Sequence, residues 1–204
     1  MKQKSVIKAD NSWIEKSIRE FPGSPSERIG SGWMLITAGN AGLGNAQAGT
    51  ESAGDWNTMT ASWGGLGVLW GRDVAFMFIR PSRYTFGFAN DNPLFTLSFF
   101  DEPGSPAKYR DALSLCGEKS GRDIDKAAVA GLNPIVFDHS IAGGKATGAV
   151  GFKEASEIIL CRKLYTHDFD PAAFLDPVLI EKSYGGTDYH RMYIGEIVGL
   201  LTKK

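Results

Sequence analysis

Cysteine is scarce in this chain, with Cys116 and Cys161 the two in 204 residues. They lie far apart and lack the close pairing of a zinc knuckle or a redox dithiol, so two reduced, packed thiols are expected. Histidine is nearly as sparse, and none of His139, His167 and His190 has a partner at metal-ligand spacing, so no metal site is expected. A Ser/His/Asp order or a Cys/His arrangement for acyl transfer is missing as well. So is an excess of one charge. Lys and Arg number 22 against 23 Asp and Glu, a formal net charge of -1, without the basic surplus that binds a nucleic-acid backbone. No apolar run approaches the about 18 residues of a membrane span. The N-terminal Met-Lys-Gln-Lys is charged from its second residue and never opens into a signal-peptide core. A cytoplasmic location is expected, with neither nucleic acid nor membrane as partner.

Two nucleotide signatures fail on inspection. Gly39-x-x-Gly42-x-Gly44 reverses the dinucleotide order, and that motif must open a helix after a strand. Near Lys119 a phosphate loop is excluded because Glu118 stands where the second glycine should be. There is no internal repeat and no low-complexity tract.

What is present is an ordinary core-forming composition. Hydrophobic residues make up 43% of the chain, enough for one domain spanning 1–204. Ser12 and Glu15 have capping-box spacing ahead of Ile18 and Phe21, which predicts a short helix before Pro22-Gly23-Ser24-Pro25 breaks the pattern. Trp33 to Ala38 reads as a strand, Gly39 to Asp55 as a surface loop, and Trp56 to Trp63 as a strand entering a glycine turn at Gly64-Gly65-Leu66-Gly67. Asp73 to Ile79 is apolar on both faces and should be fully buried. Ser82 is placed to cap a helix from Arg83 to Asn90, and Leu94 to Phe100 alternates as a strand.

Tyr109, Ala112, Leu113 and Cys116 recur with helical period up to Gly117. Strands are expected at Ala149 to Phe152, Ala155 to Thr166 and Tyr189 to Leu201, the last carrying His190 on the same parity as Met192 and Ile194. Short strands outnumber helices and glycine reaches 25. The fold class is therefore mainly β with a few helices, a closed or nearly closed antiparallel barrel.

Arg80, Ser82, Arg83, Tyr84 and Thr85 form a candidate anion site, because a helix start offers unpaired backbone donors and the arginines add charge-assisted hydrogen bonds. The arginine contribution, roughly 1.5–3 kcal/mol per bond, outweighs the about 0.3–1 kcal/mol of an exposed dipole. The competing reading is two solvated arginines beside a capping serine. An anion site alone cannot hold a cofactor, so an apolar body must be buried too. The stretch Asn57, Thr58, Met59, Thr60, Ala61 and Ser62 offers backbone edges for a heteroaromatic ring, with Met59 and Trp63 as walls. Lys119, Ser120, Arg122 and Lys126 could add positive charge to the same cavity, or form a solvated helix start among Glu118, Asp123 and Asp125.

Five segments in order, Asn57-Thr-Met-Thr-Ala-Ser-Trp-Gly-Gly-Leu-Gly, Arg80-Pro-Ser-Arg-Tyr-Thr85, Ser98-Phe-Phe, Cys116-Gly-x-Lys-Ser-Gly-Arg-Asp-x-Asp-Lys126 and Asp188-Tyr-His-Arg-Met-Tyr-Ile-Gly-Glu-Ile197, resemble the flavin reductase-like, flavoredoxin-type FMN-binding split-barrel proteins. The resemblance spans about Trp33 to Ile197. It implies a Greek-key-like split β-barrel, a homodimer, and FMN near the subunit interface. By motif, Thr58 to Ser62 would line the isoalloxazine and Arg80, Ser82, Arg83 and Thr85 would hold the phosphate. Ser98, Phe99, Cys116, Lys119, Ser120 and Lys126 fall in segments that border the flavin in such proteins.

The implied activity is transfer of hydride or electrons from NADH or NADPH through FMN to an acceptor, with Lys126 and His190 as catalytic candidates. A flavoredoxin-type electron carrier reduced by a protein partner and a non-catalytic FMN-binding module are the alternatives. The family's Gly-Asp-His motif, linked to nicotinamide, is replaced here by Asp188-Tyr189-His190. The loop from Gly39 to Asp55 is also longer than expected.

Overall fold

A computed structural model describes residues 7–41, 55–101, 108–138 and 141–204. His139 and most of the predicted loop between Gly39 and Asp55 lie outside the described residues. The described chain contains eleven strands and five α-helices. The strands are β1 (Ile7–Lys8), β2 (Trp13–Lys16), β3 (Met34–Asn40), β4 (Asp55–Ala61), β5 (Gly64–Leu69), β6 (Arg72–Ile79), β7 (Leu94–Phe99), β8 (Pro134–Val136), β9 (Val150–Phe152), β10 (Glu157–Asp168) and β11 (Arg191–Lys203). The helices are α1 (Pro25–Gly30), α2 (Thr85–Asp91), α3 (Arg110–Glu118), α4 (Lys126–Ala130) and α5 (Pro177–Ser183).

The main sheet is antiparallel and runs β4-β3-β7-β10-β11-β6-β5. Its two ends, β4 and β5, are consecutive in the chain and joined only by Ser62 and Trp63. A two-residue link cannot span a flat seven-strand sheet at about 4.8 Å per strand, so the sheet must curl until its edges meet. Gly64 marks that seam: a Cβ there would lie 2.9 Å from both Met34 Cε of β3 and the Phe76 carbonyl of β6.

Strand β11 serves two neighbours in turn. Arg191 to Glu196 pair with β6, and Leu200 to Lys203 pair with β2. The second pairing overrides the helix predicted from Ser12: Trp13–Lys16 is a strand, and the capping box sits on Ser17 and Glu20 of a single 3-10 turn. The edge of β11 offers four residues of ladder, more than one helical turn could provide locally. Gly64 to Gly67, expected as a turn, is strand β5. The reversal falls instead at Trp70 and Gly71, both with positive φ (53° and 69°), the backbone sense that matches hairpin twist.

Inside the curl, Met34, Ile36, Met59, Ala75, Met77, Ile79, Phe95, Leu97, Phe99 and Ile159 pack as one buried cluster. A second cluster covers the outer face, where Leu35, Trp56, Leu160 and Leu201 meet α3, α4 and a small sheet of β1, β8 and β9. Of that small sheet the sequence pattern anticipates β9, at Ala149 to Phe152, but neither β1 nor β8. Burial in β6 is also less complete than its two-faced apolarity suggested. Val74, Ala75, Met77 and Ile79 are buried, whereas Phe76 and Phe78 remain half-exposed.

Candidate functional site

A cleft of about 450 Å³ opens where β4 ends and the chain leaves β6. Its lining draws on three separated stretches: Met59 to Trp63, Phe78 to Arg83, and Asp188 with His190. Pairing places them together, because Arg191 lies opposite Ile79 in the β11–β6 ladder and so carries His190 to the end of β6.

The residues after β6 do not form the predicted cap. Helix α2 begins at Thr85 with Tyr84 at the cap position, and Ser82 lies in the preceding turn, closed by Arg83 N–H to the Arg80 carbonyl at 3.0 Å. The Ser82 N–H and hydroxyl both donate to the Asp188 carboxylate, at 3.0 and 2.6 Å. A serine whose hydroxyl is committed to a carboxylate 106 residues away cannot also cap the helix. Arg80 donates to the Ser183 carbonyl at 2.6 Å and stacks over the Tyr184 ring at 5.2 Å, while Arg83 donates to the Gly117 carbonyl at 2.8 Å. Each guanidinium has five N–H donors, so these contacts aim the arginines without exhausting them.

His190 is buried against Trp63, with ring centroids 5.1 Å apart, and its Nδ1 pairs with the Tyr184 hydroxyl at 3.0 Å. Burial pushes its pKa down to about 4; Arg80 and Arg83 push the same way and Asp188 opposes them. The imidazole is therefore neutral across the physiological range. Trp63, 47% exposed, forms an open wall at the cleft mouth.

Of the sequence candidates, Met59, Thr60, Ala61, Ser62, Arg80, Ser82, Arg83 and His190 meet in this cleft. The others lie behind it or away from it. Asn57 is fully buried and donates to Thr85 Oγ1 at 2.8 Å, tying β4 to the first turn of α2. Thr58 donates to the Ile36 carbonyl at 3.1 Å. Tyr84 lies beneath the Arg122 guanidinium, 4.8 Å from its ring. Ser98 and Phe99 are buried on β7, and Ser98 Oγ has no hydrogen-bond partner among the described residues.

Cys116 is buried on α3, where desolvation raises its thiol pKa to about 11 and keeps it a packed, protonated thiol. Lys119 is exposed at the end of α3, and Ser120 Oγ accepts from the Arg122 N–H at 3.2 Å. Lys126 is not a solvated helix start. It is buried, and its ammonium donates to the Thr58 and Cys116 carbonyls at 3.0 and 2.8 Å, which braces β4 from behind.

Phe78, Asp188, Tyr184 and Ser183 complete the surroundings. Their roles carry no sequence signal, because each depends on the long-range pairing of β11 with β6. The donor set suits a ligand with a flat hydrogen-bonding body and an anionic tail. Strand-end backbone, Met59 and Trp63 flank one part; two guanidiniums and Ser82 converge on the other. The volume falls within the roughly 300–1,000 Å³ of small-molecule pockets. FMN has this form, and the residues fit it, with one carboxylate at the anion end.

No protein-family model matches the chain, and no curated protein does either. Solved structures match in fold. A flavoredoxin from Methanosarcina acetivorans superposes with a TM-score of 0.54 at 19% identity, covering 84% of this chain and 70% of its own. An FMN-binding protein from Thermus thermophilus with bound 1-cyclohex-2-enone gives 0.53 at 19% identity, over 83% and 69%. An FMN-binding domain of a flavin reductases-like enzyme from Shewanella baltica OS155 gives 0.55 at 14% identity, over 96% and 79%. The fold is that of these split-barrel FMN-binding proteins, as the sequence resemblance implied. At such identities the likeness speaks to the fold alone.

Proposed function

We propose that this protein binds FMN in the cleft between β4 and the β6–α2 turn and works as a flavin reductase-like redox protein. The observation that carries the reading is the convergence of the Met59 to Trp63 strand end, Arg80, Ser82, Arg83 and His190 on one cleft. It unites three of the segments on which the sequence resemblance rests. Met59 to Ser62 would hold the isoalloxazine edge, and Arg80, Ser82 and Arg83 the phosphate. Bound FMN supplies hydride and single-electron chemistry; the protein supplies binding, orientation and electrostatics.

Lys126 acts from behind the strand. Its ammonium fixes the Thr58 carbonyl, so it positions the β4 backbone on which the ring would rest. His190 stays neutral and, paired through Nδ1 with Tyr184, leaves Nε2 for a ligand. A homodimer and NADH or NADPH as transient reductant belong to the same reading and rest on the sequence resemblance, and a cytoplasmic setting rests on the charged N-terminal residues and the lack of a long apolar run.

A flavoredoxin-type carrier is the second reading. Tyr189, inserted between Asp188 and His190, stacks on Tyr184 at 4.8 Å and places a phenol where the related motif has none. An anaerobic titration separates the readings. Bleaching of the bound flavin by NADH or NADPH at catalytic rates supports the reductase; bleaching only by a reduced redox protein supports the carrier. A bound flavin that neither reduces leaves a non-catalytic module, and a colourless protein that ignores added FMN refutes flavin binding.

A further inference from the structure

The anion end of the cleft already contains an anion. Both oxygens of the Asp188 carboxylate are engaged by Ser82, one by the N–H at 3.0 Å and the other by the hydroxyl at 2.6 Å. These are two of the donors that a ligand phosphate would need, and Asp188 lines the cleft beside Arg80 and Arg83. Its backbone is held at φ 57°, a left-handed conformation uncommon for a residue with a Cβ. Gly185 and Gly186, at φ 57° and 86°, precede it closely, so three of four consecutive residues have positive φ. Glycines at those positions let the backbone carrying Asp188 rotate at little steric cost.

We propose that Asp188 is a built-in competitor for the phosphate end of the cleft, which lowers affinity for dianionic ligands and must release Ser82 when a phosphate binds. The proposal rests on the flavin-binding reading and adds a determinant of ligand charge to it. Two guanidiniums and one carboxylate line this end of the cleft before any ligand arrives, so a neutral flavin meets a site whose charge is already offset in part, whereas a phosphate must displace or face a like charge. A like charge held close by repels the incoming phosphate and weakens its binding. A gain of about tenfold is a conservative expectation.

The test uses two variants of the full chain. Asp188→Asn removes the charge, keeps the size, tolerates positive φ, and can still accept from the Ser82 N–H. Asp188→Gly vacates the Ser82 donors and adopts the same φ without strain. FMN and riboflavin are titrated into each protein and followed by fluorescence quenching, with circular dichroism confirming the fold. At least one variant should bind FMN about tenfold tighter than the wild type, with riboflavin affinity changed by less than about twofold. A gain in Asp188→Asn assigns the competition to charge; a gain in Asp188→Gly alone assigns it to occupancy. If the wild type binds FMN and neither variant binds it more tightly, competition by Asp188 is wrong and flavin binding stands. Failure of all three proteins to bind either flavin overturns both.

Discussion

The imidazole of His190 should remain neutral until the pH falls to about 4. Burial is the leading cause; the Arg80 guanidinium adds to it, Asp188 opposes both, and Arg83 contributes least. The unfolded chain takes up the same proton near pH 6.5. Between these values the unfolded state binds more protons than the folded one, so stability increases with pH across the window. The stabilising contribution is therefore present above about pH 6.5, is lost progressively as pH falls, and levels off below about 4.

At roughly 1.4 kcal/mol for each tenfold change in proton affinity, the ceiling is about 3 kcal/mol. Solvent at the cleft mouth reduces that to about 1–2 kcal/mol. Titration of the imidazole by NMR should give a midpoint near 4 in the wild type, higher in Arg80→Gln and lower in Asp188→Asn. Denaturation from pH 8 to 4 should show a steeper loss of stability in the wild type than in His190→Gln. A wild-type midpoint at 6 or above would refute the burial argument. A midpoint that ignores both substitutions would refute the charge argument.

Arg83→Ala should weaken FMN binding by about tenfold to a hundredfold, matching the roughly 1.5–3 kcal/mol of a charge-assisted bond, and leave riboflavin nearly unchanged. Equal losses for the two flavins in a calorimetric comparison would show that the arginine acts through its bond to the Gly117 carbonyl. Lys126→Met removes the donor to the Thr58 and Cys116 carbonyls, and chemical denaturation should report a loss of about 2–4 kcal/mol. Gly195→Ala places a Cβ 2.5 Å from the Phe95 ring and 3.0 Å from Cys161 Cβ, inside the closed sheet. Overpacking there should cost about 1–3 kcal/mol; an unchanged melting midpoint would mean the ring has room to move.

The strands that alternate or run apolar, β3, β4, β6, β7, β10 and β11, were legible because strand period and turn chemistry are local. Helix α3 was legible for the same reason, as Leu113 and Cys116 fall on its buried side. Three local patterns misled, each through a distant partner. The residues from Trp13 follow the edge of β11, Gly64 to Gly67 follow β6, and Ser82 follows Asp188. Lys126 misled differently, because acidic neighbours in the sequence suggested solvent while its Nζ reaches two carbonyls of a buried strand and helix.

By itself the sequence determined the mainly β class and the near balance of acidic and basic residues, and it supplied the residue types that line the proposed cleft. Composition and short-range periodicity carry that information because propensity, turn preference and charge act over a few residues. The tertiary structure decided which candidates meet. It brought Met59 to Ser62, Arg80, Ser82, Arg83 and His190 together, put Lys126 and Cys116 behind the strand, and set Asp188 against Ser82. Those outcomes depend on the register of β11 against β6 and on closure of the sheet between β4 and β5, which are long-range pairings that no local pattern encodes.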